Sequence, residues 1–521
     1  MRKLLVALAL PVAALSGVSP EGAFTPTFES HEKLTPRNKI DELVVARLKA
    51  LGIQPANLCS DAVFLRRAYL DVTGTLPTAK EANDFLHSAD PNRRAALIDS
   101  LLARPEFADY WAMKWSDILR IKAEFPINLW PNAAQAYHHW ILAAIRDNQP
   151  YDKFVREMLT ESGSNFRTAP VNFYRAMQNR EPQGIAQAVA LNFMGVRAEK
   201  WPKERLDGMA SFFANIGYKE TGEWKEEIVF FDPSKKGATL PRNATFPDGK
   251  SVNLTAGRDP REVFADWLIS PQNPWFARNF VNRAWSWLLG RGIVNEPDDI
   301  RPDNPPENPE LLAYLEKEFV ASHYDVKHLF RLILNSETYQ LSSIPRAPDA
   351  DKHFAAYPLR RLDAEVLIDA LCQITGTTEK YSSAIPEPFT FIPDDQRSIS
   401  LPDGSITSSF LELFGRPARD TGLEVERNNR LTADQSLHML NSTHVQQKIA
   451  LSQKISYVMR TSKDQQTVYY WLYLAILSRN PTPEELKIVN EYAQNGSAKG
   501  RDAITDVAWA LMNSAEFLYR H

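Results

Sequence analysis

Cysteine is nearly absent: Cys59 and Cys372 are the only two in 521 residues. A disulfide between them is chemically permissible in an exported protein, and two isolated buried thiols are the simpler reading. No two thiols lie close enough in sequence for a thiolate zinc site. His-Glu-x-x-His, Gly-x-Ser-x-Gly, the P-loop and Gly-x-Gly-x-x-Gly are missing as well, so no short motif names a reaction. His138 and His139 are sequence neighbours that point to different faces of a helix. No metal and no cofactor is expected. Neither sign of charge dominates, since 60 Lys and Arg face 64 Asp and Glu; general affinity for nucleic acid is therefore not expected. Beyond the N-terminus no apolar run approaches ~18 residues, so no integral membrane segment is expected after signal cleavage.

What the chain has instead is repetition. Tyr69-Leu70 precedes Pro77-Thr78 by eight residues, and Tyr473-Leu474 precedes Pro481-Thr482 by the same eight. Each copy runs to a matching close, Leu101-Leu102-Ala103-Arg104-Pro105-Glu106-Phe107 and Leu511-Met512-Asn513-Ser514-Ala515-Glu516-Phe517. A partial third copy opens at Asn308-Pro309 and closes at Asn335-Ser336-Glu337-Thr338-Tyr339. Thr78-Ala79-Lys80-Glu81 and Thr482-Pro483-Glu484-Glu485 are both capping boxes, in which Thr and Glu satisfy reciprocal backbone amides. The repeat thus reads as helix, stop, capped helix, helix. Units of this kind bury their apolar faces on one another.

The fold expected is mainly α: a helical-repeat, multi-helix, two-domain architecture with a small β insert between the halves. Arg2 and Lys3 followed by apolar Leu4 to Ala14 read as a signal peptide over residues 1–16, which implies export to the periplasm or cell surface. Residues 17–36 read as a flexible tether. A helical domain is expected over 37–219, a β-rich insert over 220–257 and a second helical domain over 258–521, with a Pro-rich loop at 386–404.

Candidate chemistry lies in polar clusters. Arg66, Arg67 and Asp71 fall on the first repeat's opening helix. Asn282 and Arg283 precede Asp298 and Asp299. Arg361 and Glu365 open a later helix, and Arg416 and Arg419 precede Glu424, Glu426 and Arg427. Paired carboxylates could serve as acid and base or hold Ca²⁺; alternatively the ion pairs hold the repeats in register. Trp111 and Trp115 share one helical face, which favours core packing over a sugar-stacking shelf. Asp117 and Arg120 on the same helix could rim a pocket.

These segments resemble a known pair of domains. Leu65-Arg66-Arg67-Ala68-Tyr69-Leu70-Asp71-Val72-Thr73-Gly74-Thr75-Leu76-Pro77-Thr78 is similar to the opening signature of the planctomycete cytochrome-associated (PSCyt-type) domain of unknown function, family 1549. Val281-Asn282-Arg283-Ala284-Trp285, Gly290-Arg291-Gly292, Asp298-Asp299, Asn308-Pro309 and Phe414-Gly415-Arg416-Pro417 resemble its usual C-terminal partner, family 1553. The resemblance implies an exported protein of planctomycete or verrucomicrobial type and no particular reaction. Many relatives carry Cys-x-x-Cys-His after the segment matching Gly195-Val196, and Cys-x-Cys where this chain has Leu423-Glu424-Val425. Both runs are missing here, which implies one site abandoned by this member and argues against a haem-linked redox role. Two readings stay open. One is a non-catalytic binding or assembly module with an envelope protein or glycan partner. The other is a polysaccharide hydrolase or lyase using paired carboxylates.

Overall fold

In the first repeat, Ser60 caps the helix Asp61–Val72 by accepting from the Val63 amide. The chain then turns at Gly74, whose φ of 62° and whose contact with the Tyr110 ring leave no room for a Cβ. Thr78 and Glu81 form the expected capping box, with bonds of 3.2 and 2.8 Å, and start the helix Ala79–Leu86. Arg93–Leu102 and Pro105–Ile118 complete the block. The C-terminal copy repeats this order as Gln465–Leu477, Pro483–Asn495, Arg501–Met512 and Ala515–Leu518, with its own box of 3.2 and 2.8 Å at Thr482 and Glu485. The middle copy is the pair Pro309–Ala321 and Val326–Leu334, capped by Asn308 and Asp325. A further capping box forms at Thr432 and Gln435, with Gln in place of the Glu of the other two.

A computed structural model describes residues 25–124 and 129–521, so the signal peptide and the start of the tether lie outside the described residues. The fold is mainly α, as expected. The copies pack on one another: Gln465–Leu477 lies against Ala79–Leu86, and Val326–Leu334 against Arg93–Leu102. One apolar core runs from Phe28 to Phe517 without a break between the expected domains. Trp111 and Trp115 lie inside it, and the Trp111 indole donates to the Val72 carbonyl at 3.1 Å. Their helix face is core, not a sugar shelf. Among the described residues no helix is long and apolar enough to cross a membrane.

Two expectations need correction. Residues 25–36, read as tether, are held to the body: Phe28 is buried, Ser30 N–H donates to Leu58, and Thr35 N–H donates to Glu337 Oε2 at 2.5 Å. Composition could not show this, because the segment pairs with residues hundreds of positions away. The β insert also starts earlier and is less separate than expected. Strand β1 (Gly163–Ser164) joins β2 (Ile216–Glu220) and β3 (Glu227–Phe231) in an antiparallel sheet of order β1-β3-β2. The hairpin β4 (Arg242–Thr245) and β5 (Ser251–Leu254) follows. A two-residue strand carries no periodicity, so β1 left no sequence signal.

Candidate functional site

The opening helix of the first repeat carries two adjacent arginines, both buried. Arg66 donates to the Phe517 carbonyl at 2.8 Å, and Arg67 donates to the Tyr339 carbonyl. Those carbonyls sit at the closes of the other two copies. In both closes a serine caps the final turn: Tyr339 N–H reaches Ser336 Oγ, and Phe517 N–H reaches Ser514 Oγ, each at 3.2 Å. One Arg-Arg pair thus ties the first copy to the ends of the second and third.

Asp71, on the same helix, is fully enclosed. Its carboxylate accepts from Tyr357 Oη at 2.7 Å, Tyr339 Oη at 2.9 Å, Arg360 at 3.1 Å and Arg520 at 3.3 Å. Arg520 continues to Asp363 at 2.9 Å, and Asp363 also accepts from Asn429 at 2.8 Å, Lys114 at 3.0 Å and Tyr110 at 3.1 Å. Burial would raise the Asp363 carboxyl, but Lys114, Arg520 and Arg427 outweigh it and hold the group well below the usual carboxylate range.

Arg427 forms the next link, donating to Asp117 at 2.6 Å and to Glu365 at 2.7 Å. Arg419 donates to the other Asp117 oxygen at 2.9 Å, and Arg416 lies 3.5 Å from Glu365. Arg361 stands apart from the acids; it donates to Gln435 Oε1 and stacks over the Phe414 ring. The predicted cluster around Asn282 and Arg283 is equally occupied. Asn282 exchanges two hydrogen bonds with Val294, at 3.0 and 2.8 Å. Arg283 donates to Asp298 at 2.8 Å and to the Asn192 carbonyl at 2.9 Å. Asp299 pairs with Arg301 at 3.1 Å. Glu426 accepts from the Asp420 and Thr421 amides and from the Thr421 hydroxyl, stapling its own loop.

Glu424 differs from these. Among the described residues it has no cationic partner within ion-pair distance, and its Oε1 accepts from the Trp287 indole at 2.9 Å. Burial and the Asp298 charge push its carboxyl above the usual range, against the pull of Lys114 and Arg283. The segments lacking the two cysteine runs also meet here: Asp298 accepts the Glu424 amide at 2.7 Å, and Gly195 accepts the Ile300 amide at 2.8 Å. Both hang on the 298–300 loop.

Sequence reading missed Lys114 and Arg520, because no local spacing joins residues from distant parts of the chain, and from the run Arg360 to Glu365 it singled out Arg361 and Glu365 where Arg360 and Asp363 hold the centre of the network. It also missed a recurring group of four. Arg104 lies over the Tyr69 ring and binds Glu81 and Glu106; Arg479 lies over the Tyr473 ring and binds Glu485 and Glu516. The Tyr and both Glu positions correspond between copies, but the Arg comes from the close in one and from the turn in the other.

Several clefts open elsewhere. In the five described, none of Asp71, Asp298, Asp299, Glu424 and Glu426 is a lining group. One is lined by Asp369, Cys372, Glu379 and Tyr381. Burial pushes Asp369 up to about 6, yet its two oxygens accept the Ser398 and Ile399 amides of the 386–404 loop. Burial also raises the Cys372 thiol, against the pull of the Lys448 ammonium that donates to its sulfur at 3.4 Å. Both cysteines are free, and Cys372 is only half-buried, which departs from the expectation of two buried thiols. Among the described residues no cluster of His, Cys, Asp and Glu could hold a metal ion.

Residues 39–210 match the family model PSCyt2, a protein of unknown function (DUF1549), and residues 260–493 match PSD1, a protein of unknown function (DUF1553). The order agrees with the resemblance seen in the sequence. No curated protein and no solved structure matches the chain.

Proposed function

For a chain that carries a PSCyt2 domain followed by a PSD1 domain, we propose the role of an exported, non-catalytic binding or assembly module of the cell envelope or surface. One observation supports this above the others. Four of the five carboxylates that could have formed an acid–base pair are taken up by arginines or backbone amides, and the fifth, Glu424, accepts from the Trp287 indole. Glycosidase chemistry needs two carboxyl groups facing one sugar across a solvent-reachable gap. A network in which Asp71, Asp117, Asp298, Asp363 and Glu365 each meet a cation inside the fold has the form of structural mortar.

The test has two arms. The secreted full-length protein, immobilised, should retain a specific protein or glycan from its own envelope fraction. The same protein should release no reducing ends from a panel of polysaccharides. Release of reducing ends by the wild type, abolished by Glu424→Gln, would overturn the module reading. A haem-linked role lacks the Cys-x-x-Cys-His run for covalent attachment, and a Soret band in the purified protein would contradict its dismissal.

A further inference from the structure

A groove of about 980 Å³ lies between the helix Lys203–Ala210, the start of the helix Phe276–Leu289 and the 300–306 loop. Its wall carries three arginines, Arg205, Arg278 and Arg301, and no carboxylate. Two of the three are neutralised from outside the wall. Arg278 binds Glu316 at 2.7 Å, and Arg301 binds Asp299 at 3.1 Å and Asp303 at 2.6 Å. Arg205 has no acidic partner among the described residues. Its Nε donates to the Pro247 carbonyl at 3.0 Å, and among the described residues neither terminal nitrogen has a hydrogen-bond partner. Burial alone pulls its pKa down, and no neighbouring acid opposes the pull.

The guanidinium is also fixed in orientation. Its carbon lies 4.1 Å from the centre of the Trp201 ring and 5.9 Å from that of Trp275. Stacking on an indole aligns the planar fork at little further entropic cost. A fork held by its ring face and by Nε presents two parallel N–H donors, the pattern that matches carboxylate or sulfate oxygens. Neither the Trp201 nor the Trp275 indole N–H has a partner among the described residues, though both rings line the groove. Pro305 and Pro306 supply an apolar wall on one side. Aromatic and proline faces with free N–H donors beside a lone cation suit a sugar ring that carries an anionic group. They suit an extended apolar peptide less well, since that would leave the cation unmatched.

We propose that this groove binds an anionic glycan, with Arg205 gripping a uronate carboxylate or a sulfate ester and Trp275 packing against the sugar ring. The inference rests on the module reading and narrows its partner to one chemical class. The neighbouring Val196 lines the same groove, so the site adjoins the segment that lacks the Cys-x-x-Cys-His run.

The experiment is calorimetric titration of the full-length protein with four probes: an oligogalacturonate, a sulfated galactan oligosaccharide, uncharged dextran and a single-stranded DNA oligonucleotide. Binding is expected for one or both of the charged glycans, weakening as NaCl is raised, with dextran and DNA binding far less. Arg205→Gln should lower charged-glycan affinity by about tenfold or more, the loss of a charge-assisted hydrogen-bond pair. The unmodified protein gives a readout that needs no variant: bound glycan should shield tryptophan fluorescence from acrylamide quenching. The idea is overturned by equal binding of dextran, by preference for DNA, by an unchanged affinity in folded Arg205→Gln, or by no glycan binding at all. Cleavage of a bound glycan would instead defeat the module reading and leave the groove assignment standing.

Discussion

Replacing Asp363 with alanine removes the acid at the centre of the buried network. Its side chain is 3% exposed and accepts from Lys114, Arg520, Asn429 and Tyr110, all within 3.1 Å. Lys114 and Tyr110 come from the first helical block, while Arg520 and Asn429 come from the far end of the chain. The substitution leaves a buried ammonium without its counter-charge and gives Arg520 one acid, Asp71, instead of two. Breaking a buried pair by removing one partner costs about 3–5 kcal/mol, because the desolvated charge left behind has no compensation. Chemical unfolding followed by tryptophan fluorescence and by circular dichroism should therefore show a lower midpoint with an unchanged slope. Lys114→Met in the same background should recover about 1–3 kcal/mol relative to the sum of the single changes, because both groups act in one network. An active site behaves in the opposite way, since removing a strained catalytic acid often stabilises the fold. A gain in stability, or a loss below about 1 kcal/mol, would refute the mortar argument.

Other expectations follow from the same contacts. Thr78→Ala and Thr482→Ala should each cost about 1 kcal/mol of thermal stability through loss of the cap oxygen; an unchanged melting temperature in both would contradict the paired capping boxes. His138, buried with neither ring nitrogen partnered among the described residues, has its pKa pulled down to about 3 by burial and by Arg419. A base whose folded pKa lies below its unfolded value near 6.5 contributes stability that is complete above 6.5 and lost as pH falls. From pH 7.5 to 5 the loss should be about 2 kcal/mol, and His138→Leu should flatten that slope in pH-dependent unfolding. Asp369 works the other way: with its carboxyl raised to about 6, stability falls as pH rises from about 4 to 6, and Asp369→Asn should remove that component.

The mainly α class, the repeated block, both Thr-x-x-Glu capping boxes and the opening of the middle copy at Asn308-Pro309 were legible in the sequence. Each depends on residues within one or two helical turns, where Thr, Glu, Asn and Pro act on nearby backbone groups. The ion-pair alternative for Asp71, Glu365 and Arg427 was also legible as a possibility, since arginines and acids were plentiful at helix ends. Their partners were not, because Arg520 reaches Asp71 and Asp363 across 449 and 157 residues. The same distance hid the docking of residues 25–36 and the pairing of β1 with β3. Tertiary structure also decided which cations remain unneutralised: Arg205 looked like any other arginine until folding placed it on Trp201 with no acid beside it among the described residues. Local propensity and capping write the helices, while charge balance is settled only when distant segments close on one another and exclude water.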